Sequence, residues 1–198
     1  MSAKQTEQTG RVVNEFLGSA EIFTSAVSDL LEDELEALSE KKVTFSQMKL
    51  LKMVSIAEDY TVSNVAQFLG VSTAAASRAV DRLVRRGLVR RTEAAADRRV
   101  VQLSLTADGA ELLERYDASA QRALHQVFGA LPPEQLKQAS EFLDRLSVSI
   151  VEQHDSERAV CFRCGIHFRD RCLLRKVRRD QCFFHARGRE TKGTERAD

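Results

Sequence analysis

The stretch that most constrains this chain runs from Ser63 to Thr106, SNVAQFLGVSTAAASRAVDRLVRRGLVRRTEAAADRRVVQLSLT. It reads as a short amphipathic helix, a tight turn at Leu69-Gly70-Val71, and a second helix closed by Gly87. An arginine-rich hairpin follows, with strands RGLVRRT and RRVVQLSLT. Helix, turn, helix and basic hairpin in that order make a winged helix-turn-helix, an arrangement suited to reading duplex DNA.

Long helices flank this unit. Between residues 12 and 38, Phe16, Ala20, Phe23, Val27, Leu30, Leu31, Leu35 and Leu38 recur at three- and four-residue steps, the apolar stripe of one helix closed by Lys41-Lys42. Thr44 or Ser46 caps a second helix to about Ala57 that offers Met48, Leu51, Val54 and Ile56 to the core. Thr61 or Ser63 opens the first helix of the reading pair, and Ser72 or Thr73 the second. After the hairpin, Thr106-Ala-Asp-Gly starts a helix to about Phe128. Pro132-Pro133 starts the last one, which carries Leu136, Ala139, Leu143, Leu146 and Ile150. The fold class is therefore mainly α, a winged helix-turn-helix with long N- and C-terminal dimerisation helices. Two such stripes exceed what a small winged domain needs for its own core, so they predict a homodimer in which Leu30, Leu31 and Leu35 pack across the two-fold axis.

Residues 10 to 153 resemble a MarR-family transcriptional regulator. The matching pieces are Thr61–Leu69, Ser72–Gly87 with Val80-Asp81-Arg82-Leu83, the Gly87-Leu88-Val89 exit, Asp97-Arg98-Arg99, and Leu105-Thr106 leading to Gly109. The resemblance implies a homodimer on a palindromic operator, acting as a repressor and released by a small phenolic or oxidising effector. It also implies that Arg99 enters the minor groove, with Asp97 as its buttress and Arg98 on the backbone. The chain departs from the family at Ala74, Ala75 and Ala76, where relatives carry longer donors, and at the wing turn Glu93-Ala-Ala-Ala.

The reading helix supplies the other candidate DNA contacts. Ser72, Thr73, Ser77 and Arg78 lie in its first turns, where base edges are read, and Arg78 has the fork that bonds guanine O6 and N7. Arg82, Arg85 and Arg86 lie further along and suit phosphates.

The net charge of +1 conceals an asymmetry, because residues 156–198 hold twelve Lys/Arg against six acids. All four cysteines lie there, Cys161, Cys164, Cys172 and Cys182, in a C-x2-C-x7-C-x9-C spacing with His167 and His185 nearby. In a reducing compartment such a cluster points to metal before disulfides. Structural zinc favours two C-x2-C knuckles and only the first pair has one, whereas iron–sulfur clusters accept looser spacing; both Zn2+ and an iron–sulfur cluster remain open. The expected domains are 1–153, the regulator-like part; 156–185, a metal-binding extension; and 186–198, a disordered tail.

No apolar run of about 18 residues exists, so a membrane span is not expected, and the N-terminus lacks a signal-peptide core, which places the protein in the cytoplasm. There is no H-E-x-x-H, and four thiolates would saturate a zinc and leave no open position, so an enzyme is not expected. Two functions follow. One is a dimeric DNA-binding regulator whose four-cysteine centre senses redox state, oxygen or iron. The other is a DNA-targeting protein whose zinc-stapled tail is a protein-interaction module.

Overall fold

The computed structural model describes residues 3–38, 43–56, 60–94 and 100–153. Its elements are α1 (Ala3–Leu38), α2 (Phe45–Ile56), β1 (Tyr60–Thr61), α3 (Val62–Leu69), α4 (Thr73–Arg85), β2 (Val89–Glu93), β3 (Val101–Leu105), α5 (Ala107–Phe128) and α6 (Pro133–Gln153). The mainly α winged helix-turn-helix is therefore present. The strands form one antiparallel sheet in the order β1-β3-β2.

The caps that the sequence left as alternatives resolve by hydrogen bonding. Thr44 accepts from the Gln47 amide and donates its own N–H to the Gln47 side chain, so Thr44 and not Ser46 opens α2. Thr61 and Asn64 form the same reciprocal box at α3. Ser72 caps α4 by accepting from the Ala75 amide, and Thr106 caps α5 by accepting from the Gly109 amide.

Three expectations differ. Helix α1 begins at Ala3 rather than near residue 12, because Ala, Lys, Gln and Glu carry the helix without needing an apolar stripe. The sheet has a further strand, β1, in which Tyr60 faces Leu103 and Thr61 faces Gln102. Two residues are too few to show an alternating pattern. Ile56, offered to the core by its spacing, is exposed at the end of α2.

The core sits under the reading unit. Met48, Leu50, Leu51, Met53 and Val54 of α2 are buried on nearly every side, and around them pack Val65, Ala76, Val80, Leu83, Leu88, Val89 and Leu103. Leu112, Leu113 and Tyr116 of α5 complete it together with Leu31 and Leu35 of α1, which are each only 2% exposed. These two leucines therefore serve their own subunit's core and are not the free apolar face that the stripe suggested for a dimer. The hydroxyl of Tyr116 is buried without a hydrogen-bond partner among the described residues, and burial, aided by Asp117, Glu32 and Glu34, pushes its pKa up to about 12.

Long helices and reading unit are tied at two levels. Lys52 of α2 forms a 2.8 Å ion pair with Asp117 of α5. At the start of α5, the Thr106 hydroxyl donates to the Gly87 carbonyl at 2.6 Å and its amide to the Leu88 carbonyl at 3.1 Å. Gly109 lies so close beneath that turn that a Cβ would sit 2.1 Å from the Leu88 carbonyl oxygen. The exit of α4 and the entry of α5 thus share one junction, which explains the Leu105-Thr106 and Gly109 signature.

Away from this core the long helices leave apolar surface. Val12, Val13, Leu17, Ile22 and Phe23 of α1 are exposed, as are Leu136, Phe142, Leu143 and Ile150 of α6. Phe16 meets Phe142 edge-on at 5.8 Å and Phe23 meets Phe128 at 6.2 Å, so α1 is laced to α6 and to the end of α5 within one subunit. No described helix is long and apolar enough to cross a membrane.

Candidate nucleic-acid interface

Helix α3 ends at Gly70 in the left-handed conformation, φ 64°, with the Gly70 and Val71 amides returning to Gln67 and Ala66. Gly70 supplies the reversal at no Cβ cost, and Ser72 restarts the chain as α4. Helix α4 is sharply two-sided. Ala76, Val80 and Leu83 are fully buried, while Thr73, Arg78, Arg82 and Arg85 are exposed and Ser77 is half-buried at the margin. The candidates Thr73, Ser77, Arg78, Arg82 and Arg85 are thus on the outer side of one helix. Ser72 stands at its N-terminus, with its oxygen engaged as the cap.

Two details correct the sequence reading. Ala76 is in the core, so only Ala74 and Ala75 thin the polar face. Arg86 has a second role that the spacing did not show: its guanidinium donates to the Gln47 side chain, bracing the end of α4 against α2. Gly87, φ 71°, then turns the chain into β2, its amide bonding the Val84 carbonyl and that of Leu88 the Leu83 carbonyl.

The wing is the β2–β3 hairpin, paired from Val89 opposite Leu105 to Glu93 opposite Val101. The Ala94 amide bonds the Val100 carbonyl and continues the ladder toward the tip. Asp97, Arg98 and Arg99 lie outside the described residues. At the wing's base Arg91 forms a 2.9 Å ion pair with Asp81 of α4, and Arg90 donates to Ser104 across the strands at 2.9 Å. Sequence reasoning passed over the Asp81–Arg91 link; the only signal for it was an acid and a base on neighbouring elements ten residues apart. The exposed cations Arg78, Arg82, Arg85 and Arg90 give helix and wing base a positive outer surface, the footprint a polyanion needs.

Cys161, Cys164, Cys172 and Cys182 also lie outside the described residues. Among the described residues no group of His, Cys, Asp and Glu is placed to hold a metal ion.

A MarR family model matches residues 42–100. The chain is similar to the transcriptional regulator ZitR of Lactococcus lactis subsp. cremoris, 30% identical over 138 residues that cover 68% of this chain and 93% of that protein. The chain belongs to the MarR family. It is also similar to the transcriptional repressor MdtR of Bacillus subtilis, 29% identical over 57% of this chain and 73% of that one. Among solved structures, a cysteine-to-serine variant of MarR from E. coli, complexed with operator DNA, matches with a TM-score of 0.55 and 25% identity. That match covers 67% of this chain and 96% of that one. The MarR family is one of transcription regulators and not of enzymes. The family model's match ends at residue 100, before the cysteine-rich tail.

Proposed function

We propose that the protein is a homodimeric MarR-family repressor that binds a palindromic operator and carries a four-cysteine metal centre in its tail. The observation that carries the DNA reading is α4, whose buried Ala76, Val80 and Leu83 anchor it while Thr73, Arg78, Arg82 and Arg85 stand outward. Named as a repressor, MdtR supports the direction of control, and the MarR–operator complex supports duplex DNA as the partner. In this reading Ser72, Thr73, Ser77 and Arg78 meet base edges, and Arg82 and Arg85 meet phosphates. At the wing, Arg99 enters the minor groove, oriented by Asp97, with Arg98 on the backbone. Dimerisation is supported by the exposed apolar residues of α1 and α6, which a lone subunit leaves in water. A small-molecule effector belongs to the same reading through the family.

Selection of bound duplexes from a random pool yields the operator, and two substitutions then test the division of labour. Arg78→Ala should relax discrimination at one base pair per half-site, by about 1–3 kcal/mol. Arg99→Ala should weaken binding more on A·T-rich than on G·C-rich flanks, since a minor-groove arginine reads width and potential. Equal losses on every sequence from both variants would contradict the assignment.

The tail is supported by its spacing alone. Cys161, Cys164, Cys172 and Cys182 hold one metal, an iron–sulfur cluster or Zn2+, that staples residues 156–185, a segment with too few apolar residues for a core of its own. Protein purified without air is brown for the first and colourless for the second. Each Cys→Ser variant should lose most of the bound iron or zinc, measured per chain. Full metal content in Cys172→Ser would remove the shared site, and operator affinity unchanged by verified metal loss would make the tail a structural or partner-binding module.

A further inference from the structure

Ser77 differs from five helical hydroxyls of this chain that bond the backbone of their own helix one turn back. Thr9, Ser19, Thr24, Ser147 and Ser149 each donate to the carbonyl four residues back, at 2.8–3.1 Å, which occupies their hydrogen. Ser77 makes no such bond among the described residues. Its oxygen instead accepts from the Arg91 guanidinium, a long contact of 3.5 Å. The same Arg91 nitrogen is held by Asp81 Oδ1 at 2.9 Å. Ser77 and Asp81 are one helical turn apart on α4, so Arg91, reaching across from β2, spans both.

A hydroxyl has one hydrogen and two lone pairs, and its rotor follows its strongest neighbours. With a cation at the oxygen, the hydrogen must turn away from the guanidinium, and polarisation makes the hydroxyl a better donor and a poorer acceptor. We infer that Arg91, anchored by Asp81, is a positioning residue that presents Ser77 to DNA as a hydrogen-bond donor. This inference rests on α4 being the reading helix. Donors are met by guanine O6 and N7, adenine N7 and thymine O4, whereas cytosine offers an amino group in the major groove. Ser77, with one lone pair taken and its hydrogen directed outward, therefore disfavours cytosine relative to the other bases at the position it faces.

The experiment measures the affinity of the full-length protein for the selected operator and for duplexes carrying each base at each half-site position. Wild type should disfavour cytosine at one position by about three- to tenfold, the range of a single hydrogen bond. Ser77→Ala and Arg91→Met should both flatten that same position and leave the others unchanged. Asp81→Asn, which keeps the size of the anchor but removes its charge, should flatten it in part and serves as a second variant if Arg91→Met fails to fold. The salt dependence should keep its slope in all three. A slope reduced by about one in Arg91→Met, with base preferences intact, would make Arg91 a phosphate contact and overturn the inference. Uniform losses at all positions would make the link merely structural and overturn it equally. A wild type that enriches no sequence would instead defeat the operator reading on which the inference stands.

Discussion

A glutamate in place of Leu17 should leave a folded subunit that no longer associates and no longer holds its operator tightly. Leu17 is 56% exposed on the upper half of α1, so the charge costs the subunit's own core nothing. In the proposed dimer that residue belongs to the apolar surface that would meet the partner, together with Val13 of the same helix and Leu143 and Ile150 of α6, all exposed in the single subunit. An unpaired carboxylate buried there costs several kcal/mol. Two half-sites engaged by one dimer act as a linked pair, so separation should lower operator affinity by about a hundredfold or more. Sedimentation, circular dichroism and operator titration read the three parts of the result. A Leu17→Glu protein that still sediments as a dimer would mean that the subunits meet elsewhere.

The opposite outcome is expected only fourteen positions further along the same helix. Leu31→Glu should abolish folding rather than dissociate the subunits, because Leu31 is 2% exposed and packed into the core with Leu35 and the α2 and α5 side chains. The substitution removes a buried leucine and leaves a carboxylate without a partner, a combined cost above about 4 kcal/mol. That is a large share of the roughly 5–15 kcal/mol that holds a typical domain folded. Far-ultraviolet circular dichroism and thermal unfolding of Leu31→Glu beside Leu17→Glu make the comparison. A native-like melt for Leu31→Glu would place Leu31 outside the core.

The pair also marks what periodicity can and cannot tell. The stripe from Phe16 to Leu38 was legible as one apolar face, but spacing does not say which body a face meets. The helix passes from the subunit's core at Leu31 and Leu35 to exposed Phe23 and then to half-buried Ala20 and Phe16, the last against Phe142 of α6, with no break in pattern. The reading unit was legible in more detail, because its punctuation is chemical. Gly70 and Gly87 take positive φ and Ser72, Thr61 and Thr106 accept from helix amides, and each acts on its own local backbone. Strand β1 is not legible in the sequence because two residues carry no alternation and Tyr60 pairs with Leu103, far along the chain. Arg86 was legible as a cation and not as a brace, since Gln47 lies 39 residues away in sequence. The Asp81–Arg91–Ser77 link was hidden for the same reason, as it depends on how β2 lies against α4.

The central claim is that two copies of α4 read one duplex. Footprinting the operator selected from a random pool, with the number of chains bound per duplex measured by sedimentation, tests it most directly. The expected result is two chains on a two-fold symmetric site, with half-site centres separated by about one helical turn, roughly 10 bp, or a multiple of it. A single chain protecting an asymmetric site, or a pool from which no sequence is enriched, would contradict it.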